Sequence, residues 1–188
     1  GSNWDTVVAA TDNDGSYTWT VPNADTTEAL IRVNATDTAG NSANDTSDTT
    51  FTIDSTPPGV TVDAPDGGEG FVSGETATIE WTATDSDSGV DTVGIEYSTN
   101  GGGSWNTVAT GIGNSGSYDW TVPQVDSDDV LVRVTAADSA GNSANDTSDD
   151  TFLIREAGLY DLSVGDLPSD KDGQDQEVSF TLAGDISR

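Results

Sequence analysis

The ten residues Ala-Gly-Asn-Ser-Ala-Asn-Asp-Thr-Ser-Asp at positions 39–48 occur again, unchanged, at positions 140–149. The identity lies inside a longer ungapped match at an offset of 101 residues, in which Trp4 corresponds to Trp105 and Arg32 to Arg133. A period near 100 residues is too long for a solenoid repeat and has the length of one β-sandwich domain. The match therefore indicates a tandem array of whole domains.

The second copy, residues 55–155, contains seven short stretches with strand character, separated by Gly, Asp, Asn or Ser. Apolar and polar side chains alternate within them, so that Ala77, Ile79 and Trp81 share one face. We predict an all-β fold of immunoglobulin-like or fibronectin III-like sandwiches, without helices. The predicted strands are 60–64, 76–84, 92–98, 104–110, 117–122, 130–136 and 151–154.

The other two parts of the chain match only portions of such a domain. Residues 1–54 correspond to the last four predicted strands, and residues 156–188 read as the first two strands of a further sandwich. We expect one complete domain between two incomplete ones. Because a half sandwich exposes strand edges and a core face, two explanations stay open. The sequence is a window on a longer chain, or strands of one copy complete another copy by strand donation.

The charge of the chain excludes several classes of function. Its 188 residues carry 34 acidic and 5 basic side chains, a formal net charge of -29, and no Cys, His or Met. Such a polyanion is repelled by phosphate backbones and anionic lipids, so we expect no nucleic-acid partner and no direct membrane insertion. Without His or Cys, an imidazole base, a thiolate nucleophile and the common soft metal sites are excluded, whereas oxygen-liganded cations are not. We predict that the chain is not an enzyme.

The acidic surface resembles that of proteins from extreme halophiles. Molar salt shortens the Debye length to about 3 Å and removes the repulsion between neighbouring carboxylates. We therefore expect the chain to need high salt for its folded state.

Three stretches carry a family resemblance: Tyr-Ser-Thr-Asn-Gly-Gly-Gly-Ser-Trp at 97–105, Gly-Ser-Tyr-Asp-Trp-Thr-Val-Pro at 116–123, and Val-Arg-Val-Thr-Ala-Ala-Asp-Ser-Ala-Gly-Asn at 132–142. They resemble the immunoglobulin-like and fibronectin type III-like tandem repeats of prokaryotic surface and secreted proteins, and the junction at 54–58 is similar to the linkers that open such repeats. With the acidic composition, the resemblance implies a haloarchaeal surface or secreted glycoprotein.

The resemblance implies an extracellular location, on or outside the cell surface, and two functions. The first is a structural module of a surface layer, stalk or filament, whose partners are adjacent Ig-like domains or neighbouring copies of itself. The alternative is an adhesin or a substrate-binding accessory module of a secreted hydrolase, whose partners are glycans or cell-surface proteins.

Two acidic clusters are candidate calcium sites. In related bacterial repeats, acidic residues at the linker hold calcium, and this resemblance implies a site at the junction of the first two copies, formed by Asp37, Asn41 and Asp54. A second cluster, 85–91, has the first half of an EF-hand-like spacing but lacks the distal Glu. The alternative for 37–41 and 138–142 is a hairpin turn whose Asp caps backbone amides. The candidate calcium ligands are Asp37, Asn41, Asp54, Asp85, Asp87 and Asp91.

Three Asn-x-Thr sequons predict N-glycosylation at Asn34, Asn44 and Asn145 if the chain is secreted. Asn44 and Asn145 occupy equivalent positions of the two copies, near a turn that we expect to be exposed.

The aromatic residues are predicted mainly as core. Trp19, Trp81 and Trp120 share the alternation phase of their apolar neighbours, as an inter-sheet core requires. Trp4 and Trp105 are the candidates for a carbohydrate platform. In the hairpin that leads to Trp105, we expect positive φ at Asn100 and the following glycines.

Overall fold

The computed structural model describes residues 3–157, and all of their regular elements are β-strands. No helix in this range is long and apolar enough to cross a bilayer. The first copy contains β1 (Thr26–Ala29), β2 (Arg32–Thr36), β3 (Ser42–Thr46) and β4 (Phe51–Ile53). The second contains β5 (Gly59–Ala64), β6 (Gly70–Val72), β7 (Thr76–Thr84), β8 (Val90–Ser98), β9 (Asn106–Ile112), β10 (Ser117–Thr121), β11 (Ser127–Asp138), β12 (Ser143–Thr147) and β13 (Phe152–Arg155).

The second copy is a two-layer sandwich. One sheet has the strand order β10-β7-β5, and the other runs β6-β13-β11-β8-β9 with β12 beside β11. All described pairs are antiparallel except β6 with β13. This is the architecture of immunoglobulin-like and fibronectin III-like domains. The all-β sandwich prediction is confirmed.

The core of the sandwich follows from the period-two alternation. Ala77, Ile79 and Trp81 of β7 are buried, and the alternate residues of β11 from Val130 to Ala136 have no exposed surface. Burying each large apolar side chain contributes about 1.5–3 kcal/mol. The Trp81 indole N–H donates to the Asn114 side chain at 2.9 Å, so the ring is buried without an unpaired donor. Trp81 and Trp120 are thus core residues, as predicted.

The long strand β11 changes partner along one edge. Its first residues pair with β13, and residues from Arg133 to Ala137 pair with β12. At the switch, the Ser148 hydroxyl accepts a hydrogen bond from the Val132 N–H at 2.9 Å and donates to the Val132 carbonyl at 3.2 Å. The side chain of Ser148 thereby pairs with the backbone of Val132 at the point between β12 and β13, where neither strand does so.

The first copy keeps only part of this architecture. β1 and β2 together are equivalent to β11, β3 to β12 and β4 to β13; β1 pairs with β4 and β2 with β3. The strands expected at 3–9 and 16–21 do not form, which corrects the sequence prediction. Their equivalents in the second copy, β9 and β10, are held by β8 and β7. Among the described residues, no strand pairs with either stretch of the first copy.

Two further expectations concern the backbone. Every described residue with positive φ is a glycine, including Gly101 at 62° and Gly102 at 88°, so the expected positive φ at Asn100 is wrong. The Asn100 side chain instead accepts a hydrogen bond from the Ser104 N–H at 2.9 Å. The two strands expected beyond residue 158 lie outside the described residues.

Candidate functional site at the junction of the two copies

The segment that joins the copies is held from the side of the first copy. Asp25 lies just before β1, and its carboxylate accepts hydrogen bonds from the Ser55 N–H and hydroxyl, both at 2.8 Å, and from the Thr56 hydroxyl at 2.9 Å. The bonds from Ser55, and then that from Thr56, lower the pKa of Asp25 below its ordinary value. These hydrogen bonds therefore fix the direction in which the linker leaves the first copy.

The same segment is held from the side of the second copy. Asp54 follows β4 directly, and its carboxylate accepts hydrogen bonds from the Thr56 N–H at 2.9 Å and the Ser88 hydroxyl at 2.5 Å. The Asn142 amide donates to the Asp54 carbonyl at 3.2 Å. Ser88 lies between β7 and β8, and Asn142 lies between β11 and β12. The end of one copy is thus tied to two loops of the next.

Two carboxylates organise those loops as turn caps. Asp85 accepts hydrogen bonds from the backbone N–H groups of Asp87, Ser88 and Gly89 at 2.7–3.2 Å. Asp138 plays the equivalent role in its own turn, where the N–H groups of 140–142 donate to it at 2.7–2.9 Å. The expected capping role of the Asp in 138–142 is confirmed.

The balance of forces on Asp138 keeps its carboxylate ionised. The side chain is only 4% exposed, and this loss of hydration raises its pKa. The hydrogen bonds from the Asn142 amide and from the backbone of Asn142, Gly141 and Ala140 act in the opposite direction and outweigh it. The pKa of Asp138 therefore lies below its ordinary value, and the buried group carries a negative charge at neutral pH.

These residues bring three carboxylates together. Asp54, Asp85 and Asp138 each offer an oxygen atom within 4.8 Å of the other two. Calcium binds oxygen ligands at 2.3–2.6 Å, so two ligands of one ion lie up to about 5 Å apart. Three carboxylate oxygens at this spacing fit a hard cation, with water completing its six to eight ligands.

The structure divides the candidate calcium ligands into two sets. Asp54 and Asp85 meet at the junction, but the carboxylate that joins them is Asp138, the second-copy equivalent of Asp37. The described hydrogen bonds of Asp37 stay within its own turn, with Ala39 and with the backbone and side chain of Asn41. The turn cap predicted for 37–41 is therefore confirmed, whereas the grouping of Asp37 with Asp54 is not what the structure forms.

The remaining candidate ligands lie beside the group rather than in it. Asp87 accepts a hydrogen bond from the Ser86 hydroxyl at 2.9 Å, and Asp91 is exposed on β8. Asp138 is not among the junction residues predicted from the sequence. The offset of 101 residues carries the signal, because it makes Asp138 the equivalent of Asp37 in the copy that follows the linker.

The second copy ends differently from the first. Arg155 occupies the position equivalent to Asp54, and it forms ion pairs with Asp126 at 3.0 Å and with Asp128. Asp126 is itself the equivalent of Asp25. The hydrogen bond to Asp128 raises the pKa of Arg155 above its ordinary value, against the effect of burial. Asp25 thus binds the linker after the first copy, whereas its equivalent Asp126 binds Arg155 after the second.

The three sequon asparagines are all exposed on strands. Asn34 of β2 and Asn44 of β3 lie directly opposite each other in the antiparallel register. Directly paired residues have Cβ atoms about 5 Å apart, so two glycans at this pair would occupy the same space. The third, Asn145 of β12, is opposite Thr135.

The two candidate platform tryptophans are partly covered. The Arg133 guanidinium lies 4.2 Å from the centroid of the Trp105 ring, and Arg32 lies 4.1 Å from that of Trp4. Arg133 also forms an ion pair with Glu96 at 2.5 Å. A cation–π contact of this kind occupies the ring face that a sugar would need.

Comparisons with known proteins give a likeness of fold alone. No protein-family model matches the chain, and no curated protein matches it. The chain is similar to the solved fibronectin(III)-like modules of CbhA from Clostridium thermocellum, with 18% sequence identity and a TM-score of 0.47. The match covers 70% of this chain and 65% of that one, so it spans just under two thirds of the length of the matched structure.

Proposed function

We propose that this chain is a structural module of an extracellular protein from a halophilic organism, a stiff tandem segment of a surface layer, stalk or filament. The observation that carries the proposal is the junction between the two copies. Hydrogen bonds to the Asp25 carboxylate on one side, and from Ser88 and Asn142 on the other, hold the same short linker. A linker fixed by both neighbours keeps the modules in line, which a spacer requires.

The placement of the ends supports the same role. Ser127 at the start of β11 pairs with Ile154, near the end of the second copy, while Asp138 at the other end of β11 lies beside Asp54. The chain therefore enters and leaves the sandwich at opposite ends, separated by the length of a 12-residue strand. At about 3.3 Å per residue, each module adds about 36 Å of reach.

The acidic composition fits an environment of high salt. In molar salt, the 34 acidic side chains hold water and hydrated cations at the surface and keep the array from precipitating. In dilute buffer, the same charges repel one another and oppose the folded state.

Calcium is the proposed ligand of the junction. Asp54, Asp85 and Asp138 would hold the ion, and its two positive charges would offset most of the charge of three carboxylates contributed by both copies. Its chemical contribution is cross-linking: the linker residue and two loops of the second copy would share one cation. The stiffness of the junction would then increase with calcium.

A distance measurement between the copies tests the proposal. The chain contains no cysteine, so Asn44→Cys and Asn145→Cys place spin labels at equivalent exposed positions of the two copies. In molar KCl, pulsed electron paramagnetic resonance should give one narrow distance distribution. Asp54→Ala should broaden it, whereas Asp48→Ala, an exposed acidic residue away from the cluster, should leave it narrow.

The outcomes separate the two parts of the proposal. A broad distribution in the parent chain, insensitive to Asp54→Ala, would contradict the spacer function. A narrow distribution with the same width in calcium and in EDTA would contradict the calcium site alone. Specific binding of the chain to a glycan array would favour the adhesin or accessory module instead.

A further inference from the structure

The longest uncharged stretch of the sequence runs from Tyr97 to Tyr118. It contains 22 residues, whereas every other uncharged stretch has at most 10. It includes the end of β8, the whole of β9 and the start of β10. We call this segment, residues 97–118, the neutral strip. A chain with a net charge of -29 thus leaves one continuous part of its second copy without charge.

The two copies differ in charge at this place. Three positions carry an acid in the first copy and a neutral residue in the second: Asp5 and Asn106, Asp12 and Gly113, Asp14 and Ser115. Over the rest of the match the second copy is the more acidic one, with eight acids in 119–155 against six in 18–54. The loss of charge is therefore confined to the neutral strip.

The neutral strip occupies one side of the second copy. β9 is the last strand of one sheet and β10 is the last strand of the other, and residues 113–116 connect them. The connection is held in place, because the Asn114 amide donates to the Ala83 carbonyl at 2.9 Å and the Trp81 N–H donates to the Gly116 carbonyl at 3.0 Å. Within residues 3–157, no strand pairs with the outer edge of β9 or of β10. The strip is therefore a fixed and open surface.

The opposite side of the second copy is closed and acidic. There the Asp146 carboxylate accepts a hydrogen bond from the Val62 N–H at 2.8 Å, which joins β12 to β5. The Asp66 carboxylate accepts from the Asp149 N–H at 2.8 Å, and the Asp66 carbonyl accepts from the Asp150 N–H at 3.0 Å. Of the two sides on which the sheets meet, one carries carboxylates and the other carries the neutral strip.

The neutral strip has the composition of a contact surface. All but one of its residues are partly or fully exposed, and a specific interface uses about 20–30 residues on each side. The half-buried Tyr97, Trp105 and Tyr118 lie within it, and interface cores are rich in aromatic residues and poor in charged ones. The Arg133 guanidinium that lies against Trp105 forms an ion pair with Glu96, which offsets its charge.

The irregular pairing of β9 decides the kind of contact. Its register with β8 shifts between Thr107 and Ala109 and again between Ala109 and Ile112, where Gly111 has a φ of 62°. Bulges of this kind interrupt the even row of backbone groups that an added strand would need. Contact at the neutral strip should therefore be made by side chains and loop backbone, without extension of the sheet.

We propose that the neutral strip is a lateral contact between two molecules of this chain, in which the strip of one molecule packs against the same strip of the other. The charges select this partner. Contact through other surfaces of two polyanions brings carboxylates together at a cost, whereas strip against strip brings none together. Because the contact uses the strip of both molecules, the association closes as a two-fold dimer. The contact is additional to the proposed spacer function, and it would join two arrays side by side.

Sedimentation equilibrium of the full chain in molar KCl tests the proposal. As its concentration is raised to several hundred micromolar, the parent chain should form a dimer and no larger species. Asn106→Asp with Ser115→Asp restores two charges of the first copy at exposed positions. This variant should dimerise about tenfold more weakly or worse, because each carboxylate loses hydration in the contact.

A matched control adds the same charge elsewhere. Thr61→Asp with Thr121→Asp places two carboxylates at exposed positions of the β10-β7-β5 sheet, outside the neutral strip. The dissociation constant of the dimer should then stay at the parent value. Circular dichroism melting of both variants checks that each keeps the parent fold.

A charge-swap experiment identifies the partner surface. Asn106→Lys with Ser115→Lys should also weaken self-association, whereas an equimolar mixture with the Asn106→Asp/Ser115→Asp variant should recover the dimer, since lysines of one strip then meet aspartates of the other. A parent chain that stays monomeric, an equal loss in the Thr61→Asp/Thr121→Asp control, or a mixture without dimer would each overturn the proposal.

Two further outcomes separate this proposal from its alternatives. A monomeric parent chain that binds a glycan, and loses that binding in the Asn106→Asp/Ser115→Asp variant, would overturn the dimer and assign the neutral strip to a carbohydrate. A narrow spin-label distance within a monomeric chain would leave the spacer function standing while the lateral contact fails.

Discussion

Replacing Ser148 by alanine should destabilise the second copy, because it removes the partner of a buried amide. Ser148 is 5% exposed and Val132 is fully buried, and the serine hydroxyl is the acceptor for the Val132 N–H at 2.9 Å. The Val132 carbonyl keeps its bond from the Ser148 N–H at 2.9 Å, so one donor is orphaned. An unpaired buried donor costs about 1–3 kcal/mol. At about 4–8 °C per kcal/mol for a domain of this size, a loss of about 2 kcal/mol lowers Tm by about 8–16 °C.

The first copy provides a matched control. Ser47 is the equivalent serine, and its hydroxyl accepts from the Ile31 N–H at 3.2 Å in an exposed setting. Water can replace the hydroxyl there, so Ser47→Ala should change the free energy of unfolding by less than about 0.5 kcal/mol. Urea unfolding in molar KCl, followed by tryptophan fluorescence, measures both variants, because Trp81 and Trp120 report on the second copy and Trp4 and Trp19 on the first. Equal effects of the two substitutions would refute the argument that burial makes the Ser148 contact important.

Three other predictions follow from the structure. Circular dichroism should show a cooperative gain of β structure from dilute buffer to molar KCl, since the Debye length falls from about 30 Å to about 3 Å; an unchanged spectrum at low salt would contradict the halophilic argument. The folded pKa of Asp138 lies below its ordinary value of 3.8, so its contribution to stability is present above about pH 4 and is lost as the pH falls through the folded pKa. Asp138→Asn should therefore reduce the fall of the second copy's Tm as the pH is lowered below about 4. Asp37→Asn should leave the dependence of that Tm on pH unchanged. In a glycosylating host, mass spectrometry of the secreted chain should find a glycan at Asn34 or at Asn44 but never at both, and Asn34→Gln should raise the occupancy of Asn44.

The strands of the second copy could be predicted from alternation alone wherever the core face is continuous. β7 follows the predicted bounds because Ala77, Ile79 and Trp81 are apolar at every second position. Two strands were missed. β6 is only three residues long, and β12 reads Ser-Ala-Asn-Asp-Thr, which has little intrinsic β-propensity and is a strand because β11 lies beside it.

The first copy shows the converse effect. Residues 16–20 differ from β10 at one position, with Thr18 in place of Asp119, yet they form no strand. Local sequence is nearly the same in the two stretches, so the difference arises from the presence of β7 beside one and not the other. A pattern in one segment cannot report whether its partner is present.

The candidate site could be predicted only in part, for a related reason. Asp54 and Asp85 were identifiable because acidic residues mark the linker and the loop after β7. The prediction places Asp54 with Asp37 and Asn41, and Asp85 in a separate cluster, whereas in the structure Asp54 meets Asp85 and Asp138 of the following copy. The direction in which a linker continues is a tertiary property and has no signature in the spacing of its own residues.

The parallel pairing of β6 with β13 has a mechanical consequence. Leu153, Ile154 and Arg155 lie in register with Gly70, Phe71 and Val72, and further backbone bonds join Gly68 to Thr151 and Ser73 to Arg155. When the array is pulled at its two ends, the force enters the second copy through β5, reaches β6 along the chain, and leaves through β13. β6 and β13 are then pulled past each other along their length. Their hydrogen bonds therefore bear the load together, in shear, instead of breaking one after another.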